Sequence, residues 1–280
     1  MSYKIILDSC GELPEAYKND EHFQNVPLGL EVGDYQILDD ENFNQKEFLQ
    51  KVAAYSKCAK SSCPSPEKYM ESYRTDAEHV YVVTLSGNLS GSYNSAVLGK
   101  NLYHETYGEK DIYVVDSCSA SCGETQIALL AQELEEENKY TFEEIVERLE
   151  AYKNEMHTYF ILDNLETLRK NGRLSAVKAV IASTLSIKPV MGANNEGVIQ
   201  QLSQAIGMKK GIQKMADIIV NEVSDTASKR LMITHCNCPE RAEYTREMLE
   251  KRAKWREIMI FDTAGISSMY ANDGGIIVTV

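Results

Sequence analysis

At 280 residues, of which 43% are hydrophobic, the chain is long enough for one large or two ordinary α/β domains and too apolar to stay disordered. Its 42 acidic and 29 basic residues give a formal charge of −13, which repels the phosphates of nucleic acids and anionic membrane surfaces, so no nucleic-acid role is expected. No apolar stretch reaches the roughly 18 residues that a membrane span needs. Met1-Ser2-Tyr3 leads straight into an apolar run, so neither a signal peptide nor stable membrane insertion is expected, and the expected location is the cytoplasm.

In chain order, Lys4 to Leu7 reads as a buried strand ending at Asp8-Ser9-Cys10, with a turn at Gly11-Glu12-Leu13-Pro14. Asp40 to Ala54 carries apolar residues at helical spacing. Lys60-Ser61-Ser62-Cys63-Pro64 then reads as a hydroxyl-bearing loop before a helix with Ser65 as N-cap and Pro66 at its first position. Val80 to Val83 is a strand, and Ile112 to Val115 is another that ends in Asp116-Ser117-Cys118. In an open parallel sheet such serine-bearing strand ends gather along one edge, where ligands of α/β folds usually sit.

Between these strands lies Thr84 to Ala96, T-L-S-G-N-L-S-G-S-Y-N-S-A, a hydroxyl- and glycine-rich strand-to-helix connection before a helix ending near Tyr107. The first N–H groups of a helix lack intrahelical partners and carry the positive end of the macrodipole. A carboxylate or phosphate would therefore be held there mainly by hydrogen bonds, with Ser86, Ser90 and Ser92 as neutral donors and Gly87 and Gly91 allowing close approach. The simpler reading is that Ser90 only caps the helix and the glycines only turn the chain.

Ser121 to Asn138 and Tyr140 to Tyr152 read as helices. A change of character near Asn154 places a domain boundary between residues 1–154 and 155–280. The second half opens with the strand Tyr159 to Leu162 and a short helix closed by Gly172 in a left-handed cap. An apolar helix over Ala176 to Leu185 follows. Ile187 to Met191 and Val198 to Leu202 flank Asn194-Asn195-Glu196-Gly197, a hairpin signal. Helices at Met208 to Val223 and Pro239 to Lys254 alternate with strands at Leu231 to Thr234, Ile258 to Phe261 and Gly275 to Val280. The expected fold is thus two α/β domains, the first mostly parallel and the second with a mixed sheet.

Seven cysteines, at 10, 58, 63, 118, 122, 236 and 238, with no export signal argue for free thiols. His235-Cys236-Asn237-Cys238 is a short soft-ligand cluster, but no C-x-x-C pair accompanies it, so neither a metal nor another cofactor is expected.

Together these motifs resemble the DegV family of bacterial fatty acid-binding proteins. The matching pieces are Asp8-Ser9 with Leu13-Pro14, Ser61-Ser62-x-Pro64-Ser65, Leu89-Ser90-Gly91-Ser92-Tyr93-x-Ser95-Ala96, Asp116-Ser117, Leu162-Asp163-x-Leu165-x-x-Leu168 with Gly172-Arg173, Ile187-Lys188-Pro189, and His235. The resemblance implies a long-chain fatty acid held between two domains, its carboxylate bound by the hydroxyls of Ser61 and Ser90 with Ser62, Gly91 and Ser92 beside them. It also implies a non-catalytic carrier that presents the acyl group to a fatty acid kinase, with Arg173 at an exposed helix end for docking. A monomer is expected. Two positions depart from the family's pattern: Tyr270 stands where a histidine is common, and Ile206 where an arginine is. The residues leave one other class open, a hydrolase or acyltransferase with Ser90 or a cysteine as nucleophile and His235 as base.

Overall fold

The N-terminal strand is a run of buried β-branched and aliphatic residues. In the computed structural model, which describes residues 2–174 and 186–280, it is β1 (Tyr3–Asp8). It is followed by β2 (Phe23–Val26), β3 (Gly29–Val32), β4 (Tyr35–Leu38), α1 (Gln45–Ala54), β5 (Lys60–Ser62), α2 (Pro66–Ser72), β6 (His79–Thr84), α3 (Ser92–Tyr107), β7 (Asp111–Asp116), α4 (Cys122–Glu136) and α5 (Phe142–Glu155). The remaining elements are β8 (Thr158–Ile161), α6 (Glu166–Lys170), β9 (Ile187–Ala193), β10 (Ile199–Ile206), α7 (Met208–Glu222), β11 (Arg230–His235), α8 (Pro239–Glu250), β12 (Glu257–Asp262), α9 (Gly265–Ala271) and β13 (Ile276–Thr279). The helix expected over Ala176 to Leu185 lies outside the described residues, apart from its neighbours at either end.

Strands β2, β1, β6 and β7 form a four-stranded sheet in that order, all parallel. The second sheet has the order β10-β9-β8-β13-β11-β12; only β11 and β12 run parallel, and the hairpin β9–β10 forms as its Asn-Asn-Glu-Gly turn predicts. Both α/β units are therefore present with the expected sheet types. Helices α2 and α3 cover one face of the parallel sheet through Tyr69, Tyr73 and Ala96, while α7 and α8 cover one face of the mixed sheet through Ile212, Met215 and Leu249. Helix α4 fills the space between the two sheets. It is buried along nearly its whole length and joins Leu7 and Val83 of one sheet to Met232 of the other in a shared core. A helix covered on all sides has no solvated face on which to place charge, and Gln126 is accordingly paired, donating to the carbonyls of Arg230 and Thr279.

Several local expectations need correction. A third, antiparallel sheet of order β4-β3-β5 lies in the stretch before residue 63. Its strands are only three or four residues long, yet Gly33-Asp34 between Val32 and Tyr35 is a two-residue hairpin turn with Gly33 at φ 64°, the sequence signal for it. Lys60 to Ser62 is thus a strand rather than a loop. Helix α1 starts at Gln45, because the Asn44 side chain caps Glu47 and ends the preceding turn. The N-cap of α3 is Gly91, one residue later than Ser90, although Ser90 Oγ does accept from the Ser92 amide at 3.2 Å. Ser65 and Gly172 behave as read: Ser65 Oγ accepts from the Lys68 amide. The amides of Gly172 and Arg173 return to the carbonyls of Arg169 and Leu168 in a Schellman closure.

Short helix α9 is set in place by two carboxylates of the first half. Asp39 accepts from the amides of Gly265 and Ile266 at 2.7 and 2.8 Å, and Glu12 accepts from the Ala264 amide at 3.1 Å and from Ser121 Oγ at 2.8 Å. Burial raises both groups, Asp39 to about 6 and Glu12 to about 8. With folded values above the unfolded ones, their favourable contribution is complete below the ordinary carboxylate range and is lost as pH rises through 6 and then 8. The melting temperature of Glu12→Gln should therefore gain on the parent as pH is raised from 6 to 9 in calorimetry. A gap that is constant or narrows over that range contradicts this assignment.

Candidate functional site

Where the two units meet, the ends of β5 and β6, helix α9, strand β8 and the β9–β10 turn enclose a cavity of about 350 Å³, within the size range of small-molecule sites. Its wall is mainly apolar, with Leu28, Leu85, Phe160, Leu162, Ile199 and Ile277 among the lining residues. The loop after β6 is tied to the opposite unit at two points. Ser86 Oγ donates to the Gly197 carbonyl at 3.1 Å, and Asn88 Nδ2 donates to the Glu196 carbonyl at 2.6 Å. Gly197 has φ 75°, and a Cβ there would stand 2.8 Å from Cys118 Cα, so the turn can approach this closely only as glycine.

Polar groups gather at one part of this wall. The edge strand β5 brings Ser61 Oγ to 3.1 Å from Tyr270 Oη on α9. Ser90 and Gly91 line the cavity at the start of α3, and since Ser90 Oγ already accepts from the Ser92 amide, its own proton is available for an acceptor in the cavity. Arg173 Nε donates to the Leu89 carbonyl at 3.0 Å and a second guanidinium nitrogen is bonded to the Asn171 carbonyl. Arg173 is the one charged side chain among the described residues lining the cavity, and no Asp or Glu stands in that wall. Hydroxyls, a helix N-terminus and a fixed guanidinium facing an otherwise apolar space suit an anionic head group on an apolar body.

Ser61, Ser90, Gly91 and Tyr270 are thus brought together at the cavity. Ser62 also borders it, but is exposed, and its Oγ lies against Gly29 on the neighbouring strand, because successive residues of β5 point to opposite sides. Two expectations are corrected. Ser92 is fully buried outside the cavity wall, its hydroxyl bonded to Asp8 Oδ2 and to Tyr69 Oη, so its role is to hold the loop. Arg173 is half-buried and tethered rather than presented at an exposed helix end. Ile206, at the position aligned with a family arginine, is 70% exposed.

Among the described residues, this wall holds no nucleophile paired with a base. No histidine lines the cavity among the described residues, and His235 Nδ1 faces Asp262 and the Cys238 amide instead. Burial lowers the His235 value further, against the pull of Asp262. Cys10 does line the cavity, but burial above all pushes its thiol well above the usual range, which disfavours the reactive thiolate. All seven cysteines are free, and no metal-binding cluster is present among the described residues. No helix of the described residues is long and apolar enough to cross a membrane.

Known proteins share this architecture along the whole chain. The family profile described as "Uncharacterised protein, DegV family" matches residues 2–279. A DegV domain-containing protein of Streptococcus pneumoniae is 34% identical over 282 residues, covering 99% of this chain and 98% of the relative. The crystal structure of a DegV family protein from Ruminococcus gnavus, refined with vaccenic acid, is 55% identical, with full coverage of both chains and a TM-score of 0.97. The Fatty Acid Kinase B3 protein of S. pneumoniae, loaded with linoleic acid, is 31% identical over 100% of this chain and 99% of that one, with a TM-score of 0.86. On the extent of the match and the agreement of fold, the chain belongs to the DegV family.

Proposed function

We propose that the protein binds a long-chain fatty acid in the cavity between two units, residues 1–154 and 155–280, with the carboxylate at Ser61, Ser90, Gly91 and Tyr270. The observation that carries this reading is an apolar cavity wall that bears, among the described residues, a Ser61–Tyr270 hydroxyl pair, the free donor of Ser90 and one arginine, with no acidic group. The acyl-loaded relatives from R. gnavus and S. pneumoniae support it. Each methylene transferred from water contributes about 0.8 kcal/mol, so the chain supplies most of the affinity and the head-group contacts fix its direction.

In this reading the protein is a carrier without catalytic residues of its own, and the bound acyl group is presented to a kinase that forms an acyl phosphate. Arg173 then has two proposed duties: it fixes the Leu89 carbonyl beside Ser90, and its guanidinium, at the cavity wall, would offset the negative charge of an incoming phosphoryl group. The protein is proposed to act as a monomer in the cytoplasm.

Native mass spectrometry of the protein purified from bacteria tests the central claim, with a co-purifying fatty acid mass as the expected result and a ligand-free protein that also fails to take up added fatty acid as the contrary one. Ser90→Ala removes a hydrogen bond to a charged acceptor and should weaken binding by roughly 1.5–3 kcal/mol, with unchanged circular dichroism; equal affinity would place the carboxylate elsewhere. Arg173→Ala should abolish kinase-dependent acyl phosphate formation while leaving lipid measurably bound, whereas undiminished turnover would remove it from the kinase interface. Tyr270→His introduces a group that becomes cationic as pH falls below about 6.5. Its affinity for a fluorescent fatty acid should rise between pH 8 and 5.5 relative to the parent, and superimposable profiles would show that position 270 does not meet the carboxylate.

A further inference from the structure

Beneath the loop that carries Ser90 lies a buried acid whose bonding is incomplete. Glu124, on α4 between the sheets, is fully buried, and neither of its carboxyl oxygens accepts a hydrogen bond from a donor among the described residues. Its polar neighbours are the Asp8 carboxyl and the Cys10 thiol. Thiols are weak donors, and Cys10 is already in contact with Ser267 Oγ. Gly11 packs directly on the same group, a Cβ there standing 3.0 Å from Glu124 Cβ and 3.2 Å from Oε2.

Asp8 is in the opposite condition. Its carboxylate accepts from the amides of Cys10 at 3.1 Å and Leu85 at 2.9 Å and from the Ser92 hydroxyl, which in turn meets Tyr69 Oη. Leu85 and Ser92 stand at the two ends of the loop that carries Leu89, Ser90 and Gly91 to the cavity. Burial raises Asp8 above the usual carboxylate range, but its three donors oppose that and favour the anion there, whereas an acceptor-only carboxylate at Glu124, beside that anion and without donors, would carry the full cost of burial and repulsion. A proton on Glu124 removes both costs and turns it into a donor toward Asp8. The other titratable groups facing the pair are Cys10 and Glu12 after β1, Asp39 after β4 and Tyr69 on α2, none of them a cation.

We propose that Glu124 and Asp8 share one proton at neutral pH, held on Glu124, and that this acid pair is a positioning device which keeps the Leu85–Ser92 loop in place for an anionic head group. The carboxylate would otherwise meet two buried negative charges behind the loop that receives it. The proposal rests on the fatty acid-binding reading for its consequence, and on the arrangement of the two acids for the proton itself.

The proton is read first, in delipidated protein carrying 13C-labelled Asp and Glu carboxyls: the Glu124 resonance should stay at its protonated position through pH 7, and an ionised Glu124 there overturns the proposal whether or not fatty acid binds. Affinities for a fluorescent fatty acid then read the consequence. Glu124→Leu leaves Asp8 without its donor and should weaken binding about tenfold, while Glu124→Gln, which keeps a donor, restores it to within about threefold of the parent. As pH is raised toward 10 the parent should lose more affinity than Glu124→Gln, since the titration of Glu12 is common to both. Native affinity in a folded Glu124→Leu protein, or identical alkaline profiles for parent and Glu124→Gln, would refute the positioning role. If Glu124→Leu does not fold, the carboxyl resonance and the Glu124→Gln profile decide alone.

Discussion

Buried carboxylates that accept from backbone amides hold both walls of the cavity. Asp8 gathers the amides of Cys10 and Leu85 and the hydroxyl of Ser92, which fixes the serine loop on one side. Asp39 and Glu12 gather the amides at residues 264 to 266 and so fix α9, with Tyr270, on the other. The low local dielectric strengthens such bonds at a buried acid and makes each costly to leave unmade. The Ser61–Tyr270 contact therefore depends on groups that never touch the cavity's contents. Without Asp39 and Glu12, a seven-residue helix would have no strong anchor at its N-terminus.

This arrangement also separates sign from function. The chain is strongly acidic overall, and acids crowd the space behind the site, yet none faces the cavity among the described residues. Anion recognition at such a site comes from oriented dipoles and one guanidinium instead of net charge. Donors fixed by the fold also lose little freedom when a ligand arrives, which favours binding without added charge.

The two units are joined by more than the cavity. Helix α4 is packed on both sheets, and the β6 loop reaches across to the Glu196 and Gly197 carbonyls. A rearrangement of the β9–β10 turn would therefore act directly on the loop that carries Ser90. Rigid elements linked through a shared buried helix transmit such displacements because close-packed interiors do not deform gradually.

Much of this was legible in the sequence. Apolar β-branched runs marked β1, β6, β7 and β11; local chemistry marked the Ser65 cap, the Gly172 closure and the Asn-Asn-Glu-Gly hairpin, since each depends on neighbours only a few residues away. The motifs around Ser61 and Ser90 also stood out, although the same hydroxyls and glycines serve as well for helix caps and turns. What the sequence could not decide depended on contacts between distant residues. The strands of the small antiparallel sheet are too short for periodicity to announce them, and α9 has no side-chain cap of its own because its N-terminus is satisfied by acids more than two hundred positions away. The same distance hid the fates of Ser92 and Arg173. A serine two residues from Ser90 looks equally able to face a ligand, and an arginine after a helix-closing glycine looks exposed; only the tertiary structure turns Ser92 inward to Asp8 and bends Arg173 back to the Leu89 carbonyl, because the direction of a side chain is set by the partner the fold brings to it.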